Sequence, residues 1–492
     1  MKDMKLSPAQ YAAAATLLFC LASAVHVNAQ EFQFERCQIK HKAVEIDAEC
    51  ATLSRPENPD KPEGQLVNLF VAKLVSTSSE PAADAFTVIQ GGPGGSSIDM
   101  AISYKQVLDI IRAKRDVLIV DQRGTGRSNI LQCDIPEGQF LGAGFDRDLT
   151  LKLAKECEAK LNHRDLRYYT SSMAVQDLDA VREAAGYPQL TVYGVSYGTR
   201  VAQHYLRRYP DSTRALIIDG VADIGLNLAG SEIPRRSQDA FDAMVSRCNQ
   251  TPACIEQFGD IALKFKELRQ RLNDAPIELE LPHPLSGEKI VHPASEYDLL
   301  AAVRMMPYST EVLSLLPMLI SQAHSGDYTL LATQGIRITD SFASDFATGM
   351  HNSVVCTEDV PFVAENAVAE TVNTYFGRDM IDGLSTICEV WPKGFIDADF
   401  HHPFDSDKPV LILSGETDPV TPPANGERAA NMFTNSKHLV VPSHGHGVIA
   451  RGCMPFLIRD FVINVDLDDV NGDCIERERA MPFFIDNTGP RP

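Results

Sequence analysis

Four short stretches of this 492-residue chain carry side chains and backbone that could act together on a carbonyl carbon. Ser196 stands between glycines in Gly194-Val195-Ser196-Tyr197-Gly198, where "TVYGV" runs into a helical pattern. A turn that brings strand and helix too close for Cβ atoms lifts a serine oxygen clear of a sheet, ready to act as a nucleophile. A serine of this kind needs a base for its proton and an acid to orient the base, in the chain order serine, acid, histidine. "LILSGETDPVTPP" offers Glu416 and Asp418 after an apolar run, and "SHGHG" offers His444 and His446 on a glycine-rich loop. His438 opens a strand instead and points to no loop. "VIQGGPGGSS" ends a further apolar run in glycines. Gly92 is the expected oxyanion donor there, since Pro93 has no N–H, with the N–H of Tyr197 as the second. A phosphate loop is the rival reading of that stretch, but no G-K-[ST] follows and G-x-G-x-x-G is not met. The chemistry implied is acyl transfer through a serine ester.

Such groups need a sheet whose strand ends lie side by side. From about residue 65, apolar β-rich runs ("LVNLFVAKLV", "AFTVIQ", "DVLIVD", "LTVYGV", "RALIIDG") alternate with amphipathic stretches such as "AVQDLDAVREAAG". That alternation predicts a mainly parallel α/β sheet covered by helices on both faces. It stops from about 224 to 400, where the pattern is mostly helical with Pro-interrupted pieces. It resumes with "VLILSG", "HLVVPS" and a helix in "CMPFLIRDFVI". The expected organisation is a leader over 1–29, a core over 30–223, a helical cap over 224–400, and the rest of the core over 401–492. Ligands of such sheets lie beyond the carboxyl ends of the strands, here beneath the cap.

The composition is globular, 44% hydrophobic and 23% charged, without repeats. A formal charge of −21 argues against binding nucleic acid or anionic lipid. Lys2 and Lys5 precede "YAAAATLLFCLASAV", which reads as a secretory leader cleaved after Ala29, too short for a membrane span. No membrane anchor is expected after cleavage. Cys20 leaves with the leader, and the other ten cysteines fall as sequence neighbours: Cys37 with Cys50, Cys133 with Cys157, Cys248 with Cys254, Cys356 with Cys388, and Cys453 with Cys474. In an oxidising compartment these are candidate disulfides.

"GGPGGSS", "DQRGTGRS", "GVSYGTR", "GETDPVTPP" and "GHG" together resemble the secreted α/β-hydrolase peptidases of the prolyl aminopeptidase and tripeptidyl aminopeptidase type. The cysteines near the C-terminus and "CEVWP" are similar to the tripeptidyl aminopeptidase branch, while Gln90 stands where relatives usually have histidine. The resemblance implies an α/β-hydrolase fold and a periplasmic or secreted serine exopeptidase. It also implies peptide substrates with free N-termini, and no metal or organic cofactor. Carried onto this chain, it makes Ser196 the nucleophile, Asp418 the acid in preference to Asp219 of "LIIDG" or Glu416, and His446 the base in preference to His444. Asp121 and Arg123 of "DQRG" are expected to brace the glycine loop and react with nothing.

An aminopeptidase also needs a group for the substrate ammonium, and a cap acid would supply a charge-assisted hydrogen bond. Glu358 and Asp359 of "VVCTEDVPF" are the candidates, with solvated surface acids as the alternative. Trp391 is expected to pack on the neighbouring disulfide. Two other functions share these residues: an esterase or lactonase, since fold and triad do not set the substrate, and an inactive binding protein on a hydrolase scaffold.

Overall fold

Every apolar run named above becomes a strand in the computed structural model, which describes residues 32–133 and 145–490; the expected leader and Cys20 lie outside them. The strands are β1 (Glu35–His41), β2 (Val44–Pro56), β3 (Leu66–Leu74), β4 (Ala85–Ile89), β5 (Val117–Val120), β6 (Leu190–Val195), β7 (Thr213–Asp219), β8 (Ile277–Pro282), β9 (Lys289–Ala294), β10 (Val410–Gly415) and β11 (Ser436–Val441). Nine of them build one sheet in the order β1-β2-β3-β5-β4-β6-β7-β10-β11. Pairing is antiparallel from β1 to β5 and parallel from β5 to β11.

β4, β5 and β10 are buried at every position, as strands covered on both faces must be. Successive residues of β6 feed opposite layers. Val192 packs with Val175 and Val181 of the helix Ser171–Ala184 and with Val201 and Tyr205 of the helix Tyr197–Arg208. Tyr193 enters the other layer, with Ile98, Leu108, Ile458 and Phe461. Each fully buried aliphatic side chain contributes about 1.5–3 kcal/mol, so both faces hold the sheet.

β1 and β2 were not among the expected strands. Their inward positions are few (Ile39, Ile46, Ala48, Ala51) and diluted by charge, which hides the two-residue period. Cys37 and Cys50 cross-link this hairpin. The other four neighbour pairs are bonded as expected: Cys133–Cys157, Cys248–Cys254, Cys356–Cys388 and Cys453–Cys474.

Between β7 and β10 the chain is mostly helical, with β8 and β9 paired as an antiparallel hairpin. Its packing is divided. Residues from Phe241 to Ala332 form a core of their own with Tyr375 and Phe376. Met350, Val354, Cys356, Cys388 and Trp391 join the core beside the sheet instead. Phe483 and Ile485, from the far end of the chain, complete the helical core. Trp391 lies in the same cluster as the Cys356–Cys388 bridge and donates its indole N–H to Ser353 Oγ at 3.0 Å.

Candidate active site

The turn after β6 is strained at the serine. Ser196 has φ 58° and ψ −129°, a conformation that costs a side chain-bearing residue on the order of 1–3 kcal/mol. Its neighbours have to be glycine: a Cβ on Gly198 would collide with the Ile89 carbonyl oxygen, and one on Gly194 with the Gly198 carbonyl oxygen. The strand end and the helix start therefore touch, and Ser196 projects from the junction, half-buried. The backbone holds it there, since Ser196 N donates to Asp219 O at 3.0 Å and Thr199 Oγ1 donates to Ser196 O at 2.6 Å. Gly91, in the loop after β4, passes so near that its Cβ would sit 2.6 Å from that of Ser196.

Asp418 follows β10 and His446 follows β11, two adjacent parallel strands whose carboxyl ends emerge together. Asp418 accepts hydrogen bonds from Val420 N, Thr421 N and Thr421 Oγ1, each at 2.9 Å, and its Oδ2 lies 2.7 Å from His446 Nδ1. Burial disfavours the Asp418 carboxylate, but His446 and these donors outweigh it and hold its pKa below the ordinary value. Burial likewise disfavours the imidazolium of His446; the Asp418 charge and hydrogen bond, with Asp219 behind them, reverse the effect and raise its pKa, while Arg304 acts against them. The Ser196 hydroxyl and His446 Nε2 form no hydrogen bond here; in ligand-free enzymes such contacts are commonly long and tighten around substrate.

The rival residues have other occupations. His444 Nε2 pairs with Glu478 at 3.1 Å, and Glu416 accepts the Ser443 N–H at 2.7 Å within the turn. Asp219 does not touch the imidazole. It closes the loop behind it, accepting from Val448 N at 2.8 Å, Ile449 N at 2.9 Å and the Tyr193 hydroxyl at 2.9 Å. Burial lifts its pKa to about 6 against those donors. Asp219 thus ties the serine, through its carbonyl, to the histidine loop, through its carboxylate. The sequence signal for this was only the position of an acid at a strand end.

Neither the Gly92 nor the Tyr197 backbone N–H donates to another group of the described residues. Gln90 turns its Oε1 onto Gly91 N at 2.9 Å and so shapes the same loop. Asp121 accepts from Ser96 Oγ, Ile98 N and Arg127 N, and Arg123 grips Asp177 with two bonds of 2.6 and 2.8 Å. Asp121 thus holds the segment that follows the glycine loop, whereas Arg123 ties its own loop to the helix Ser171–Ala184 and to the Glu57 and Tyr168 carbonyls.

Glu358 and Asp359 are placed differently from the expectation. Both are fully buried. Glu358 accepts from Ser171 N and Ser171 Oγ at 2.7 and 2.8 Å, and Arg200 grips Asp359 with two bonds of 2.9 and 3.0 Å. Burial, opposed by Arg200 and Ser171, raises the Glu358 pKa to about 7. Every carboxylate oxygen is engaged within the protein, so neither residue presents a free face to a substrate ammonium. Cys356, bridged to Cys388, precedes the pair, and both acids face inward.

Tyr308, which no motif marked, stands against the base. Its carbonyl accepts the His446 N–H at 3.0 Å, and its ring meets the imidazole edge-on with centroids 4.9 Å apart. Among the described residues no group of three His, Cys, Asp or Glu side chains is placed to hold a metal ion.

Two family models match the chain. "Alpha/beta hydrolase fold" covers residues 84–273, including Ser196, and "TAP-like protein" covers 373–474, including Asp418 and His446. The chain is similar to serine protease Hip1 of Mycobacterium tuberculosis, 24% identical over 460 residues and 86% of each chain. It is also similar to tripeptidyl aminopeptidase of Streptomyces coelicolor, 24% identical over 478 residues, 88% of this chain and 84% of that one. A shorter match, 30% identical over 225 residues, is to carboxylesterase B of Mycobacterium tuberculosis, 42% of this chain and 43% of that one.

Proposed function

We propose that the chain, with its alpha/beta hydrolase and TAP-like matches, is an α/β-hydrolase serine peptidase, and an exported exopeptidase that removes a single residue or a tripeptide from free peptide N-termini. One observation supports the chemistry above all others: Asp418 grips His446 Nδ1 at 2.7 Å, at the strand ends beside the strained turn that carries Ser196. In the reaction we infer, Ser196 Oγ attacks the scissile carbonyl carbon and its proton passes to His446 Nε2. The carbonyl π pair moves onto oxygen, where the N–H groups of Gly92 and Tyr197 stabilise it. Collapse breaks the C–N bond, and His446 returns the proton to the leaving amine. Water, deprotonated by the same imidazole, then cleaves the Ser196 ester and frees the new acid. Asp418 keeps the proton of neutral His446 on Nδ1 and stabilises the imidazolium between steps. We take 224–400 as the cap over these strand ends, flanked by core segments 30–223 and 401–492.

Five disulfides favour an oxidising compartment, which supports export by a leader over 1–29. Among the described residues no helix is long and apolar enough to cross a membrane.

Chromogenic amides of single residues and tripeptides, each with a free or acetylated N-terminus, test the exopeptidase reading. The exopeptidase reading expects the free-amine member of each pair to be cleaved with the higher kcat/KM. Equal rates, with simple esters cleaved far faster than amides, would favour the esterase reading that the carboxylesterase B match suggests.

Activity on the preferred amide is expected to rise with pH through an apparent pKa above the ordinary histidine value of about 6.5. The base must be neutral to accept the serine proton. Because the His446 environment raises its pKa, the imidazolium persists to higher pH and the acid limb moves in the alkaline direction. A kcat/KM profile flat down to about pH 4 would mean that no imidazole serves as base.

A further inference from the structure

Arg304 lies in the last turn of the helix Glu296–Met305, just before the segment that packs Tyr308 on His446, and it is 6% exposed. Its guanidinium stands 5.5 Å from the centroid of the Tyr308 ring. No carboxylate of the described residues forms an ion pair with it, and Nη1 is buried with no hydrogen-bond partner. Of the buried arginines among the described residues it alone lacks an ion pair; the half-buried Arg247, stacked on Phe483, shares the orphaned nitrogen but not the place beside the base. Arg123 grips Asp177, Arg200 grips Asp359 and Arg115 grips Asp84, all from buried positions. Buried charges are paired unless a ligand completes them, because an uncompensated guanidinium is held at a high desolvation cost. The charge is close enough to His446 to oppose its protonation. Met305 and Tyr308, on either side in sequence, are only half-buried, so the group lies just behind the surface.

We propose that Arg304 is the binding site for a substrate carboxylate on the leaving-group side of the scissile bond. This deepens the serine peptidase reading and rests on it. The leaving amine takes its proton from His446, so residues against the imidazole border the departing fragment. A guanidinium presents paired N–H donors that match a carboxylate two-to-two, where a lysine would offer a point charge. Two parts of a peptide can supply that carboxylate: the free C-terminus of a short departing fragment, or an Asp or Glu side chain within it.

Mass-spectrometric measurement of kcat/KM on short peptides separates these sources. One pair of substrates differs only in a free C-terminal acid against its amide; a second pair, both amidated, carries Glu or Gln in the departing fragment. Wild-type enzyme is expected to prefer the carboxylate member of at least one pair by roughly 30-fold or more. Arg304→Met should bring that ratio close to one, and Arg304→Lys should restore part of it. A purely structural arginine would lower both members of each pair by one factor and leave the ratios intact. Wild-type ratios near one in both pairs, or ratios that survive Arg304→Met, would overturn the proposal. If wild-type enzyme cleaves none of these peptides and no chromogenic amide, it is the peptidase reading that fails, independently of Arg304.

Discussion

Ser196→Ala is expected to reduce kcat on any amide by a factor on the order of 10⁴ to 10⁶, leaving the fold in place. The hydroxyl is the only atom lost. The contacts that fix the turn run through the Ser196 backbone, to Asp219 O and from Thr199 Oγ1, and alanine keeps both. Alanine also meets the same strain at φ 58°, so the thermal midpoint should shift little. The matching measurement on active enzyme is a serine-directed phosphonate, which should add once per chain, with peptide mapping placing the adduct on Ser196. A variant that keeps a tenth of wild-type activity, or an adduct on another residue, would remove Ser196 from the mechanism.

His446→Ala should be as damaging as Ser196→Ala, on the order of 10⁴- to 10⁶-fold in kcat, because nucleophile and base act as a unit. For the same reason the double variant should be no worse than either single one. Asp418→Asn should lose somewhat less, about 10⁴-fold, since an amide at that point favours the wrong tautomer of the imidazole. The control lies two residues away. His444 points its Nε2 at Glu478, away from Asp418, and His444→Ala should cost stability rather than chemistry. Steady-state kinetics on the five variants, with circular dichroism to verify folding, gives the pattern. An inactive His444→Ala beside an active His446→Ala would reverse the assignment of the base.

Much of this arrangement was legible before any coordinates. The strands from "LVNLFVAKLV" onward were readable because a parallel sheet buried on both faces demands unbroken apolar runs. The serine turn, the acid loop and the histidine loop were readable because each needs glycine, proline or a short polar stretch at a fixed place relative to a strand. The hairpin β1–β2 was hidden because one face is solvated and only a handful of its residues turn inward. The placement of Glu358 and Asp359 was not legible for a different reason. Sequence showed two acids beside a rigid bridge, but whether they faced a cleft or a buried arginine depended on Arg200, more than a hundred residues away along the chain. Tyr308 and Arg304 carried no signal at all, because their meaning comes only from the fold that packs the inserted segment against His446.

β10 joins the sheet beside β7, and everything between them leaves the sheet and returns. The consequence is temporal. A growing chain carries its nucleophile as soon as β6 and its turn are made, yet it holds neither acid nor base until the strands after residue 409 arrive. At the usual pace of about 5–20 residues per second, that interval lasts tens of seconds. During it the polypeptide is a latent enzyme: the serine is made, and its acid and base are not. The site is complete only with β10 paired beside β7 and β11 beside β10, which sets Asp418 and His446 at the strand ends near a serine made long before.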